Sequence, residues 1–186
     1  KGLVFVVSAP AGTGKTTLVR MLREEFHHVE ESISCTTRSP RPNEVAGRDY
    51  FFLSVNEFRQ KIKEGEFLEY AQVFHHEYGT SKKFVEHQRE KGKHVVLVID
   101  TQGALQLKGK LEAIFIFISP PSIEELRARL CRRKSETEEA METRLSWAEK
   151  EMALADQYDY HIVNDHLKTA YDALRSILIA EEHRNR

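Results

Sequence analysis

Residues 9–17 read Ala-Pro-Ala-Gly-Thr-Gly-Lys-Thr-Thr and lie between an apolar run at 3–7 and a helical pattern that begins near Lys15. A strand, then a glycine-bearing loop, then Gly-Lys-Thr opening a helix is the context of a phosphate-cradling P-loop, and it restricts the fold more tightly than any other stretch of the chain. Gly12 and Gly14 lack a Cβ, so the backbone can turn there and aim several N–H groups into one concavity. The helix that follows adds its unsatisfied N-terminal N–H groups and the positive end of its dipole. Lys15 is placed to reach β- and γ-phosphates, and the Thr16 hydroxyl to ligate Mg²⁺. Ala9 stands where the strict pattern has its first glycine, and the loop tolerates it provided that φ stays negative there. Polyphosphate chemistry is the expectation.

Further along, residues 95–99 and 114–118 are apolar throughout and rich in β-branched side chains, which suits central parallel strands covered on both faces; residues 161–163 form a shorter candidate. Helical stripes lie between and around them: Leu18, Val19, Leu22 and Phe26; Ile123, Leu126 and Leu130 behind a Ser122-x-x-Glu125 box; Met141, Leu145, Ala148 and Met152; and Ala170, Leu174, Ile177 and Leu178. Strands alternating with helices predict an α/β fold with a parallel sheet core flanked by helices. Residues 32–90 break that rhythm with a polar, proline-bearing loop (36–49), an aromatic run (50–53), a small helix boxed by Ser54 and Glu57 and stopped by Gly65, and a half-buried segment (66–73). This stretch reads as an insertion on the carboxyl edge of the sheet. A second polar island, 132–139, separates two helices.

Bulk properties narrow the partners. At 186 residues one domain is expected, and 28 basic against 29 acidic residues leave no overall field to hold nucleic acid or an anionic membrane, so the substrate should be small. Cys35 and Cys131 follow no metal-ligand spacing, and two thiols in such a chain fit a reducing compartment. No apolar run approaches the length of a bilayer span, and residues 3–7 are too short for a signal-peptide core, so a cytoplasmic protein is expected, its missing initiator Met suggesting a trimmed start.

The P-loop alone leaves many functions open. Downstream, Ser34-Cys-Thr-Thr-Arg38-Ser-Pro-Arg41-Pro is followed by Gly47-Arg-Asp-Tyr50, Phe67-Leu-Glu69-Tyr, Tyr78-Gly-Thr80, Ile99-Asp100-Thr-Gln-Gly103 and Ile162-Val-Asn164-Asp. In this order and spacing the chain resembles guanylate kinase, from residue 3 to about 182. The resemblance implies a P-loop nucleoside monophosphate kinase fold in a single domain over 1–186, with a core of about 1–31, 91–131 and 144–186, a GMP-binding insertion at about 32–90 and a lid at about 132–143. It implies transfer of the γ-phosphoryl group of ATP to GMP, and to dGMP, in purine nucleotide metabolism and GMP recycling. ATP would lie on Ala9, Pro10, Ala11, Gly12, Thr13, Gly14, Lys15, Thr16 and Thr17, with Asn164 either on the ATP side or simply capping the last helix.

The residues make chemical sense in those roles. Arg38 and Arg41, three apart around Pro40, offer two guanidinium forks for the GMP phosphate, and Tyr50 and Tyr78 add hydroxyl donors by the family pattern. Glu69 is the expected base reader, because one carboxylate accepts both N1–H and N2–H₂ of guanine and repels the N1 acceptor of adenine. Ser34 and Thr80 would supply further hydroxyl contacts to the base. Asp100, after a core strand, either contacts guanine or holds water of the Mg²⁺ shell; relatives commonly carry a second acid two positions earlier, where this chain has Val98. Lys15, Arg133 and Arg144 are the candidates for stabilising charge on the moving phosphoryl group, which needs no general base. Two alternatives compete: a non-catalytic guanylate-kinase-like module that binds phosphopeptide, which has no use for Lys15 or the lid arginines, and another small-molecule P-loop kinase, which would not combine Glu69 with the arginine pair. Oligomeric state, monomer or homodimer, is not legible.

Overall fold

The sixteen-residue helix near the C-terminus shows how the amphipathic stripes become structure: Leu167–Glu182 buries Ala170, Leu174, Ile177 and Leu178 along one face, the four positions the helical period selects. The computed structural model describes residues 1–133 and 137–186. Its elements in chain order are β1 (Val4–Ser8), α1 (Lys15–Glu25), β2 (Val29–Glu31), β3 (Cys35–Thr36), β4 (Phe51–Phe52), α2 (Val55–Lys63), β5 (Phe67–Val73), β6 (His76–Ser81), α3 (Lys82–Glu90), β7 (His94–Val98), α4 (Thr101–Leu107), β8 (Ile114–Ser119), α5 (Ile123–Arg132), α6 (Glu138–Met152), β9 (Tyr160–Val163) and α7 (Leu167–Glu182). A five-stranded sheet has the order β2-β7-β1-β8-β9, with β2 parallel to β7 and β8 parallel to β9. This is the α/β architecture with a parallel sheet core flanked by helices. The apolar runs become its strands because every residue of β1 and β8 is buried, as a strand covered on both faces requires.

The chain divides into two compact units, Lys1–Phe5 with His28–Ala113, and Val6–His27 with Ile114–Arg186. The first contains a second sheet, of order β4-β3-β6-β5, in which β5 and β6 form an antiparallel hairpin. Under it Phe58, fully buried, packs with Cys35 and Phe67. A phenylalanine buried in this way contributes on the order of 2–3 kcal/mol. The helix carrying Phe58 has the full reciprocal box expected of it, Ser54 accepting from the Glu57 N–H and Glu57 from the Ser54 N–H, and Gly65 follows its end at φ 67°. In the second unit α5 and α6 share a cluster of Leu126, Leu130, Leu145 and Ala148.

Several local expectations shift. β1 runs one residue later than the apolar run, because Ser8 is buried along with it. Phe26 lies beyond the helical stripe, as the extended C-cap of α1. The Ser122 box is half formed: Ser122 accepts from the Glu125 N–H, and Glu125 turns instead to Arg129. The second sheet and the helices α3 and α4 were not expected, since their short strands and seven- and nine-residue helices fall below the length at which periodicity is decisive. Of the expected lid, residues 134–136 lie outside the described residues, and residues 138–143 are already part of α6. Both cysteines are free, Cys35 buried and Cys131 exposed. No helix among the described residues is long and apolar enough to cross a membrane.

Candidate active site

The P-loop takes its shape from two left-handed glycines, Gly12 at φ 83° and Gly14 at φ 94°. Either position would strain a side chain, and a Cβ on Gly14 would stand 2.7 Å from Asn164 Nδ2. Ala9 is buried and absent from the positive-φ residues, so it meets the condition under which the loop accepts it. Buried Thr13 closes the turn on itself, its N–H and hydroxyl both donating to the Pro10 carbonyl at 3.2 and 2.6 Å. Lys15 Nζ donates to the Ala9 carbonyl at 3.3 Å, folding back along the loop. Ala11 and Thr16 are exposed, and Thr17 is half-buried in the first turn of α1.

Asn164 belongs to this region and does not cap the last helix. Its Nδ2 donates to the Thr13 carbonyl at 2.8 Å from a buried position, while the N-cap of α7 is His166. Arg129 Nη2 in turn donates to the Asn164 carbonyl at 3.0 Å. A chain of hydrogen bonds thus runs from α5 through the end of β9 to the loop. Arg133 is the exposed C-cap of α5, and Arg144 sits half-buried on α6.

The other candidate residues lie in the first unit. Arg38 is half-buried and its fork is taken by Glu44, Nη1 to Oε1 and Nη2 to Oε2, each at 2.8 Å. The same Glu44 Oε1 accepts the Arg41 N–H at 2.8 Å, while the Arg41 residue itself is exposed. The two arginines therefore meet on a carboxylate, one by its guanidinium and the other by its main chain. The bidentate pair holds Glu44 down to about 2, well below the usual range, so it stays ionised at neutral pH. Arg38 Nε is buried with no hydrogen-bond partner among the described residues, a donor left over beside the Tyr50 ring, whose centroid is 5.2 Å from the guanidinium carbon. Tyr78 lies against Tyr50, ring centroids 6.0 Å apart.

Glu69 is 4% exposed. On β5 the inward positions are Phe67, Glu69 and Ala71, so a carboxylate occupies a core position. The Thr80 hydroxyl donates to Glu69 Oε1 at 2.6 Å across the hairpin. Burial pushes the Glu69 carboxyl up to about 7, the Thr80 hydrogen bond opposing and the Asp100 charge reinforcing it. Asp100 caps α4, accepting the Gly103 N–H on Oδ1 at 3.0 Å and the Gln102 Nε2 on Oδ2 at 3.2 Å. Half-buried Ser34 accepts the Phe51 N–H at its carbonyl, 2.9 Å, where β4 begins.

The family model described as guanylate kinase matches residues 1–181. The chain belongs to the guanylate kinase family. The guanylate kinase of Protochlamydia amoebophila is 58% identical over 99% of this chain and 93% of its own length, and that of Chlamydia muridarum 52% identical over 97% and 89%. The crystal structure of guanylate kinase from Anaplasma phagocytophilum superimposes with a TM-score of 0.81 at 35% identity, covering 99% of this chain and 88% of that one. Membership extends along the whole described fold, both units included.

Set against the guanylate kinase pattern, sequence reasoning passed over Glu44 and Arg129. Glu44 had a readable signal, being the first carboxylate after Arg38 and only three residues past Arg41. Arg129 had none for this role, because its tie to the loop runs through a main-chain carbonyl 35 residues away.

Proposed function

We propose that this chain is an ATP:GMP phosphotransferase, with the nucleotide triphosphate on residues 9–17 and GMP read by Glu69. The observation that carries the reading is a buried carboxylate inside a chain whose family and P-loop are those of guanylate kinases. Near-complete coverage by guanylate kinases favours the enzyme over a phosphopeptide-binding module.

In this reading the turn at Gly12 and Gly14 presents main-chain N–H groups to the β-phosphate, and Lys15 leaves the Ala9 carbonyl to follow the γ-phosphate. Asn164 keeps the loop in that shape through Thr13. A GMP phosphate takes over donors that Glu44 now holds on Arg38 and finds Arg38 Nε still unused. Arg41, Tyr50 and Tyr78 complete that pocket, and Ser34 and Thr80 flank the base. A phosphate oxygen of GMP attacks the γ-phosphorus in line as the bond to the β-phosphate oxygen breaks, and Lys15, Arg133 and Arg144 spread the charge that develops.

The donor set fits Mg²⁺. Thr16 brings one exposed hydroxyl in the first turn of α1, and Mg²⁺ accepts such a sparse protein contribution because it retains water and takes oxygens from ATP. Each Asp100 oxygen already accepts a hydrogen bond from α4, and any part Asp100 took in holding the ion would be through water. When bound, the ion would supply charge neutralisation for the transferring phosphoryl group. We place the protein in a reducing, cytoplasmic setting, in keeping with two free thiols, and propose one domain with the GMP-binding insertion at 32–90 and the lid at 132–143.

A coupled assay offering ATP with GMP, dGMP, AMP, UMP or shikimate tests the reading. GMP turnover far above AMP turnover is expected; a preference for AMP, or no turnover of any acceptor, would overturn it.

A further inference from the structure

The strand that carries Glu69 is an edge strand. In the order β4-β3-β6-β5 one side of β5 pairs with β6, and the other side has no strand among the described residues. An unpaired edge is free to shift, and here α4 prevents it with side chains. Gln106 Nε2 donates to the Tyr70 carbonyl at 2.7 Å and its Oε1 accepts the Tyr70 N–H at 3.3 Å, so one amide imitates the two hydrogen bonds of a neighbouring strand. Gln102 Nε2 donates to the Gln72 carbonyl at 3.0 Å. The helix is thereby locked to the strand at Tyr70 and Gln72, just past Glu69.

Between the two clamping glutamines, and capped through its own N–H by Asp100, lies Gly103, buried in the first turn of α4. Its φ lies outside the left-handed range, so the backbone does not ask for glycine. Space does. A Cβ there would stand 2.4 Å from Glu69 Oε2 and 3.0 Å from its Cδ. One carboxylate oxygen is held by the Thr80 hydroxyl and the other occupies the space that a Cβ of residue 103 would need.

We propose that Gly103 is a specificity-determining positioning residue: its missing side chain is the seat that sets the Glu69 carboxylate where guanine can be told from adenine. The inference rests on the reading of Glu69 as the base reader. An added methyl group would be relieved at the lowest cost by moving the carboxylate, the free end of a side chain, while the clamped helix and strand stay in place. Guanine recognition is then lost ahead of the fold.

The test is a double-mutant cycle on the full chain, with kcat/KM for GMP and for AMP measured on wild type, Glu69→Asp, Gly103→Ala, the double variant and Glu69→Gln. Gly103→Ala is expected to lower kcat/KM for GMP by about tenfold or more, mainly through KM, as a misplaced recognition group should. The KM for ATP should stay within about twofold. Shortening Glu69 to Asp withdraws the carboxylate from the new methyl group, so the same glycine substitution should cost less than about twofold in that background. An equal loss in both backgrounds would mean a helix effect and overturn the inference, as would an unchanged GMP preference in Gly103→Ala. Should Gly103→Ala fail to fold, circular dichroism decides: a folded double variant supports the seat, and an unfolded one overturns it. If Glu69→Gln keeps full GMP preference, the reading of Glu69 itself has failed and takes this inference with it.

Discussion

In the function proposed above, the P-loop and the neighbourhood of Glu69 would recognise their targets by opposite means. The loop is nine consecutive residues whose binding groups are mostly main-chain N–H, shaped by two left-handed glycines and held by Thr13, Asn164 and Arg129 through neutral or carbonyl hydrogen bonds. The Glu69 region draws on β5, β6 and α4, and its centre is a buried acid pushed up to about 7. Main-chain donors do not titrate, so the first device works over a wide pH range and identifies only an anion. The second, in that proposal, would identify a base, with a strength that depends on a proton. Local backbone shape suffices for charge; reading a donor–acceptor pattern takes a desolvated group that several elements hold in place.

The largest effect should come from the one flexible charge on the loop. Lys15→Ala is expected to lower kcat by at least ~10³-fold, the scale for removing charge stabilisation from a phosphoryl transfer, with GMP binding by calorimetry unchanged. A parallel loss of GMP affinity would erase the distinction drawn above.

Glu69→Gln comes next and has two signs. The amide turns a donor toward guanine, so kcat/KM for GMP should fall by about 10²-fold or more. In the wild type, KM for GMP should rise as pH drops below about 7 and level off above it, because only the carboxylate accepts both guanine donors; KM for ATP should stay flat. Stability runs the other way. A carboxyl raised from 4.5 to about 7 contributes fully below its unfolded value, and that contribution is lost as pH rises through about 7. The ligand-free Glu69→Gln protein should therefore melt higher than wild type at pH 8 and lose that advantage near pH 5. Equal melting shifts at both pH values would show that the acid is not held neutral by burial.

The smallest effect concerns the loop's support. Asn164→Ala removes one hydrogen bond to Thr13 and should raise KM for ATP about fivefold, the equivalent of ~1 kcal/mol, leaving GMP discrimination intact. Steady-state kinetics with ATP varied at saturating GMP measures it.

Sequence alone was enough for whatever is local or periodic. Strand, glycine loop and helix at 3–25 announce a phosphate cradle because nine neighbouring residues make it, and the stripe on α7 or the boxed helix at Ser54 follows from hydrogen bonds and periods a few residues long. The candidate residues around Glu69 were legible only as a resemblance, since Glu69, Thr80 and Asp100 acquire a shared chemistry by being folded together. What tertiary structure decided is the state of those groups. Burial of Glu69 raises its carboxyl, Glu44 closes the fork of Arg38, and Asn164 turns out to brace the loop where a helix cap was equally readable. Desolvation and the partner of a hydrogen bond are properties of which surfaces meet, and a linear pattern carries them only where the partners are also neighbours in the chain.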